Sequence, residues 1–290
     1  YAKIGNKKIL NINDCMVDSI QQAKIIKKLI DDVDILLTQF GYASWVGDFD
    51  DVQLRKNASL EKLKRIEIQA KIFEPKFIIP FASFIRFSHK DNFYMNDEMN
   101  TIYNVSKFIE EHTDSIPIVL YPGDQWLGKD KIDNSIAIKK YEIDSQKNLE
   151  LKTSDKIIIF EELQNLAFSY IDGIKKRNNW NFVKFLHKIN FFKTTNIFLK
   201  DLNSSFSFDL VNGLKISKIN ESNVDIITDS DSLSFVFSWD YGMDTLFVNA
   251  RFQTSGGKVM NFFRLFLIGT LNNNGRTFPL GVLGFLFHER

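Results

Sequence analysis

The chain has 290 residues, which suits one large domain or two of ordinary size. Its 37 Lys and Arg against 36 Asp and Glu leave a formal charge of +1, which excludes a nucleic-acid binder working by bulk electrostatics. Hydrophobic residues at 44% and charged residues at 25% exclude wholesale disorder, and the single cysteine, Cys15, excludes an internal disulfide and a Cys-rich zinc site.

From the N-terminus, Lys7-Lys8-Ile9-Leu10-Asn11-Ile12 reads as a strand leaving a Gly5-Asn6 turn. Ile20, Ala23, Ile26, Leu29 and Ile30 then recur at helical spacing, with Lys24, Lys27 and Lys28 on the other side. Ile35-Leu36-Leu37 is a short apolar run of the kind buried in a parallel sheet. A loop over residues 41–51 carries Tyr42, Trp45 and Phe49. Ser59 is placed to cap the next helix, whose Leu60, Leu63, Ile66, Ala70 and Phe73 form one stripe. Pro75 ends that helix, and Phe77-Ile78-Ile79 is another buried strand. This β-α-β-α-β rhythm predicts a layered α/β domain over residues 1–150, with functional groups on loops at strand ends.

The second half changes character. Helical patterns cover residues 157–176 and 180–191. Residues 205–210 and 232–239 alternate polar and apolar, the period of half-buried antiparallel strands. Asn212-Gly213 and Tyr241-Gly242 supply turns, 244–253 reads as a further strand, and 258–271 as a helix. Helices on a meandering antiparallel sheet predict an α+β domain over residues 151–290, with the boundary in the polar stretch 144–155. No apolar segment approaches the roughly 20 residues of a membrane span, and no signal peptide is visible. The low cysteine content points to a reducing, cytoplasmic setting.

Four histidines, His89, His112, His187 and His288, form no paired metal-binding motif. His89 stands apart, because it follows the Pro80-Phe81-Ala82-Ser83 segment and precedes Asn92 and Asn96. It reads either as part of a strand-end site or as part of a solvated loop. Asp14, directly after an apolar strand, serves either as a helix cap or as a metal ligand. Trp45, and Trp126 beyond Asp124, are placed either to stack on a base or sugar or to pack in a core.

These segments, in order, resemble the C-terminal half of the metallo-β-lactamase fold. The strand ending at Asn13-Asp14-Cys15 matches the superfamily's metal-bridging aspartate position. The Glu74-Pro75-Lys76-Phe77-Ile78-Ile79-Pro80 strand matches the one that a histidine ligand usually follows, but Ala82 stands there. Pro80-Phe81-Ala82 with His89, then Tyr121-Pro122-Gly123-Asp124 and Trp239-Asp240-Tyr241-Gly242-Met243-Asp244, resemble the branch containing the CMP-N-acetylneuraminate hydroxylases. The C-terminal part is similar to sterol-carrier-type modules.

The resemblance implies an αββα half-fold followed by an α+β module, acting on a nucleotide-linked or surface-glycan sugar by hydrolysis or hydroxylation. It implies a divalent transition metal, zinc or iron, with Asp14 and His89 as ligands and the remaining ligands outside this chain. His89 would also act in catalysis, while Asn92, Asn96, Asp124, Trp126 and Trp45 would contact substrate. The superfamily's His-x-His-x-Asp-His loop belongs to the N-terminal half and does not occur here, nor do Rieske Cys and His pairs. Tyr1 in place of Met fits that absence, so a partner N-terminal half is expected, on the same or a separate chain. The competing reading is a non-catalytic binding or assembly module that keeps half of the fold.

Overall fold

A computed structural model of the chain describes residues 1–13, 15–154, 156–255, 259–279 and 281. The chain divides into two compact units, one of residues 1–88 and 93–150, the other of residues 89–92 and 151–290. Both are mixed α/β assemblies. Among the described residues no helix is long and apolar enough to cross a membrane.

The first unit is built on a five-stranded sheet in sequential order: β1 (Ala2–Ile4), β2 (Lys7–Asn11), β3 (Ile35–Thr38), β4 (Phe77–Pro80) and β5 (Ile116–Pro117). β1 turns back antiparallel on β2 through Gly5, and β2 to β5 run parallel. Parallel neighbours need crossovers, here α1 (Ile20–Leu29), α2 (Val52–Phe73) and α3 (Ile102–His112). Right-handed crossovers between strands laid down in sequential order all fall on one face of a sheet. Accordingly Ala23, Ile66, Ala70, Phe73, Ile102, Val105 and Ile109 share one core with Leu10, Leu36 and Ile78. The opposite face, with Ile35, Phe77 and Ile118, packs against Trp126 and Ile132 of the loop that follows β5. A further helix, α4 (Ser135–Gln146), is fixed to β5 by Asn134, which accepts from the Val119 N–H and donates to the Pro117 carbonyl at 2.9 Å each.

Local chemistry explains the helix ends. Ser19 and Gln22 form a capping box at the start of α1. α2 ends at Glu74, which takes the left-handed conformation (φ 50°) just before Pro75. Ser59 does not cap α2. The helix begins seven residues earlier, after Asp51, and the buried Ser59 hydroxyl donates instead to the Glu98 carbonyl.

The second unit holds α5 (Phe160–Arg177) and α6 (Trp180–Lys188), then β6 (Thr195–Leu199), β7 (Ser204–Asp209), β8 (Gly213–Ser217) and β9 (Ile226–Thr228). The sheet order is β8-β7-β6-β9, and β9 lies parallel to β6, so the sheet is mixed and not an antiparallel meander. Two expected strands are helices: α7 (Ser230–Ser238) and α8 (Gly242–Asn249). The Ser-Leu-Ser-Phe-Val-Phe alternation misleads because α7 is buried nearly all round, on residues of both parities. Asp229 starts it by accepting from the Ser232 N–H at 2.7 Å, the N-cap signal that competes with strand periodicity. α9 (Val259–Asn273) supplies Phe262 and Phe266, which join Phe208, Phe237 and Tyr170 in an aromatic core with centroid spacings such as 4.9 Å for Phe208–Phe237.

Gly242 permits the tight junction between α7 and α8. A Cβ there would lie 2.5 Å from the Phe235 carbonyl oxygen and 2.7 Å from the Val236 Cα, both backbone atoms that cannot swing aside. Gly242→Ala is therefore expected to lower the stability of the second unit by about 2 kcal/mol or more, measured as a fall in its denaturant midpoint.

Candidate functional site

In the first unit, the loops leaving β3 and β4 meet at their carboxyl ends. Ser83, buried, accepts from the backbone N–H groups of Phe40 and Gly41 at 3.0 Å each, which ties one loop to the other. Gly41 allows this approach, since a Cβ there would stand 3.2 Å from the Ser83 Cβ. Asn100 donates to the carbonyls of Phe40 and Ser59 at 2.8 Å each and so seats the start of α3 beside them. Ala82, exposed, takes a left-handed conformation (φ 55°), which an L side chain adopts only at a cost.

These ties enclose a cleft of about 460 Å³, within the size range of small-molecule sites. It is lined by residues 83–86 after β4, by 99–103 at the start of α3, by Phe40, Phe93 and Asn96, and by residues of α4. Phe84 forms one wall. Its ring stacks on Tyr141 at 4.0 Å and meets the edge of Phe40 at 5.1 Å, yet it remains 42% exposed. Tyr141 is fixed from behind by its hydroxyl, which donates to the Leu120 carbonyl at 2.8 Å, and burial pushes its pKa up to about 12. Arg86 donates to the Lys147 carbonyl at 2.9 Å and lies 5.9 Å from the Phe93 ring centroid. Asp144 pairs with Lys147 and accepts from the Tyr121 hydroxyl, each at 2.6 Å, and these bonds, that to Lys147 first, hold its carboxyl below the usual range. A wider groove of about 1060 Å³ runs along α3 and α4 past Asn134, with charges of both signs.

The residues singled out from sequence fall in several places. Asp14 lies outside the described residues. Asn96 lines the cleft, but its side chain closes its own loop, accepting from the Phe87 N–H and donating to the carbonyls of Phe87 and Phe93. Asp124 accepts from the Tyr121 N–H at 3.0 Å and pairs with Lys140 at 3.1 Å; the two bonds lower its pKa, the backbone one more strongly. Trp126 donates to the Asp130 carbonyl and presents its edge to Phe77 in the core under the sheet. Trp45 is half-buried on the 41–51 loop. The chief cleft residues, Phe84, Arg86, Tyr103, Tyr141 and Glu142, carry no motif. The one signal that reaches any of them is their position just after the β4 strand.

His89 and Asn92 belong to the second unit. Asn92 accepts from the His89 N–H at 2.9 Å and donates to the Asn249 carbonyl at 2.7 Å. Lys90 donates to the Lys152 carbonyl at 2.9 Å, and Asp91 pairs with Lys200 at 2.7 Å. The His89 Nδ1 accepts from the Asp91 N–H at 3.2 Å, which puts the proton of the neutral ring on Nε2. That nitrogen is buried and has no partner among the described residues. Arg251 pairs with Asp229 at 2.9 Å and reaches Asp231 at 3.9 Å. Burial and, next, the Arg251 charge push the His89 pKa down.

A resident metal needs several converging His, Cys, Asp or Glu side chains. Among the described residues no three His, Cys, Asp or Glu side chains come together to hold one, and the charge that most affects His89 is the cationic Arg251. The described residues by themselves supply no complete ligand set. Comparisons with protein-family profiles, curated proteins and solved structures find no match.

The sign of the His89 shift fixes a pH dependence. With a folded pKa below the ordinary value of about 6.5, the unfolded chain takes up the proton first as pH falls. The stability of the second unit is therefore complete above about pH 6.5 and declines as pH drops from there toward the lowered folded value. Thermal unfolding between about pH 7.5 and 5.5 is expected to show that decline, and His89→Gln to reduce it.

Proposed function

We propose that the first unit is a small-molecule-binding α/β domain that takes a sugar-type ring ligand in the cleft at the carboxyl ends of β3 and β4. The cleft itself carries this reading: a partly exposed aromatic face braced by a second ring, with hydroxyl, amide and charged groups around it, matches a ligand that has both an apolar ring face and polar substituents. Its position agrees with the general placement of sites in parallel α/β sheets, in the crevice beyond the strand ends. Arg86, Glu142 and the exposed Tyr103 ring would orient the ligand, while Tyr141, neutral at physiological pH, serves as a fixed platform.

The half-sandwich likeness to metallo-β-lactamase-fold proteins draws on one further observation, the placement of α1, α2 and α3 on a single face of the sheet. On that reading the metal-dependent chemistry of the intact protein would rest on Asp14 together with ligands from outside this chain. No step through a metal is derived from the residues described.

Ligand-observed NMR with N-acetylglucosamine, N-acetylneuraminate and UDP-N-acetylglucosamine is expected to detect binding of at least one, weakened roughly five- to tenfold in Phe84→Ala by loss of the stacking face. Absence of binding by all three, or an unchanged affinity in both Phe84→Ala and Tyr103→Ala, would refute the cleft as the site. Metal analysis of the chain together with the polypeptide that supplies the outside ligands, purified with zinc or iron, addresses the other reading. Stoichiometric metal that is lost in Asp14→Ala is the expected result if Asp14 is a ligand, and metal retained by the variant removes it from that role.

A further inference from the structure

We infer that the cleft selects an uncharged ring ligand and discriminates against a nucleotide diphosphate carrying the same sugar. The inference rests on the strand-end cleft being the ligand site. Diphosphate recognition is normally built from several cationic side chains or a run of converging backbone N–H donors. Arg86 is the one cation among the described residues lining this cleft, and Glu142 and Asp144 line it with it.

The charges nearly cancel. Asp144 is matched by Lys147, and Glu142 offsets Arg86. What remains is the start of α3, worth roughly half a positive charge, with Thr101 already capping the Asn104 N–H. Arg86 is also restrained, since one of its nitrogens is committed to the Lys147 carbonyl. The field in the cleft therefore offers a diphosphate little attraction, and the Glu142 carboxylate would stand against it.

The apolar complement points the same way. Phe84, stacked on Tyr141, is still 42% exposed as a residue, and Tyr103, 50% exposed, stands at the rim, so ring stacking is available to the sugar or aglycone. An uncharged glycoside uses these faces and donates hydroxyls to Glu142 without bringing a charge that needs a partner.

The test is a matched pair, N-acetylglucosamine and UDP-N-acetylglucosamine, titrated by NMR or calorimetry at low ionic strength. The unsubstituted sugar is expected to bind at least as tightly as the nucleotide form. Glu142 is exposed, so Glu142→Lys should leave the fold intact. It is expected to improve binding of the nucleotide form about five- to tenfold relative to the neutral sugar, which loses its Glu142 acceptor. Tighter binding of the nucleotide form by the unaltered chain overturns the inference while leaving the cleft as a site. A Glu142→Lys chain that folds normally but shows no gain for the nucleotide form also overturns it. Failure of both ligands to bind overturns this inference, and failure of N-acetylneuraminate as well removes the strand-end reading with it.

Discussion

A parallel strand cannot follow its neighbour directly; the chain must travel back along the sheet before the next strand can begin. In the first unit this constraint acts three times in succession, from β2 to β5, always to the adjacent position. Right-handed crossover then leaves no choice of face, and α1, α2 and α3 gather on one side over Leu10, Leu36 and Ile78. A buried polar tie fastens that layer: Thr38 on β3 donates to Gln69 on α2 at 2.6 Å, and Gln69 donates in turn to the Val17 carbonyl at 3.2 Å. Both side chains are almost fully buried, so each of these bonds is worth more than its exposed equivalent.

The same constraint generates the cleft. Parallel strands all end at one edge, so the loops leaving β3 and β4 are delivered side by side. The backbone there has lost its ladder partners and needs others. Ser83 and Asn100 supply them, satisfying Phe40, Gly41 and the Ser59 carbonyl. Because those polar side chains are spent on the backbone, the cleft is left to aromatic rings and to the few charges at its rim. The polarity of the site follows from the accounting of the loops.

The second unit solves a different problem. Its sheet is short, and much of its stability comes from phenylalanines that interlock between β7, α7 and α9. This is where the unusual abundance of Phe, 28 in the chain, finds part of its explanation. Tight aromatic packing of this sort needs close helix junctions, which Gly242 allows, and it leaves the charged groups to cluster elsewhere, around Arg251, Asp229 and Asp231.

Much of the first unit was legible in the sequence, because a buried parallel strand writes a continuous apolar run and an amphipathic crossover writes a stripe. β3, β4 and α1 are readable for that reason. The region over α7 was not, because a helix buried on nearly all sides loses its stripe and its Ser-Phe alternation imitates a strand; α8 is short and buries only Gly242, Met243 and Leu246, too few to write one. Asn96 follows a strand end and Asp124 closes the Tyr-Pro-Gly-Asp segment, but whether such a side chain faces a ligand or closes its own loop depends on which backbone groups the fold leaves unpaired. The sequence by itself determined the alternation of strands and helices, the apolar faces and the near-zero net charge. Only the tertiary structure decided that Phe84, Arg86, Tyr141 and Glu142 share one cleft, because residues 84 and 142 meet through the folding of β4 and α4, a proximity no local periodicity records.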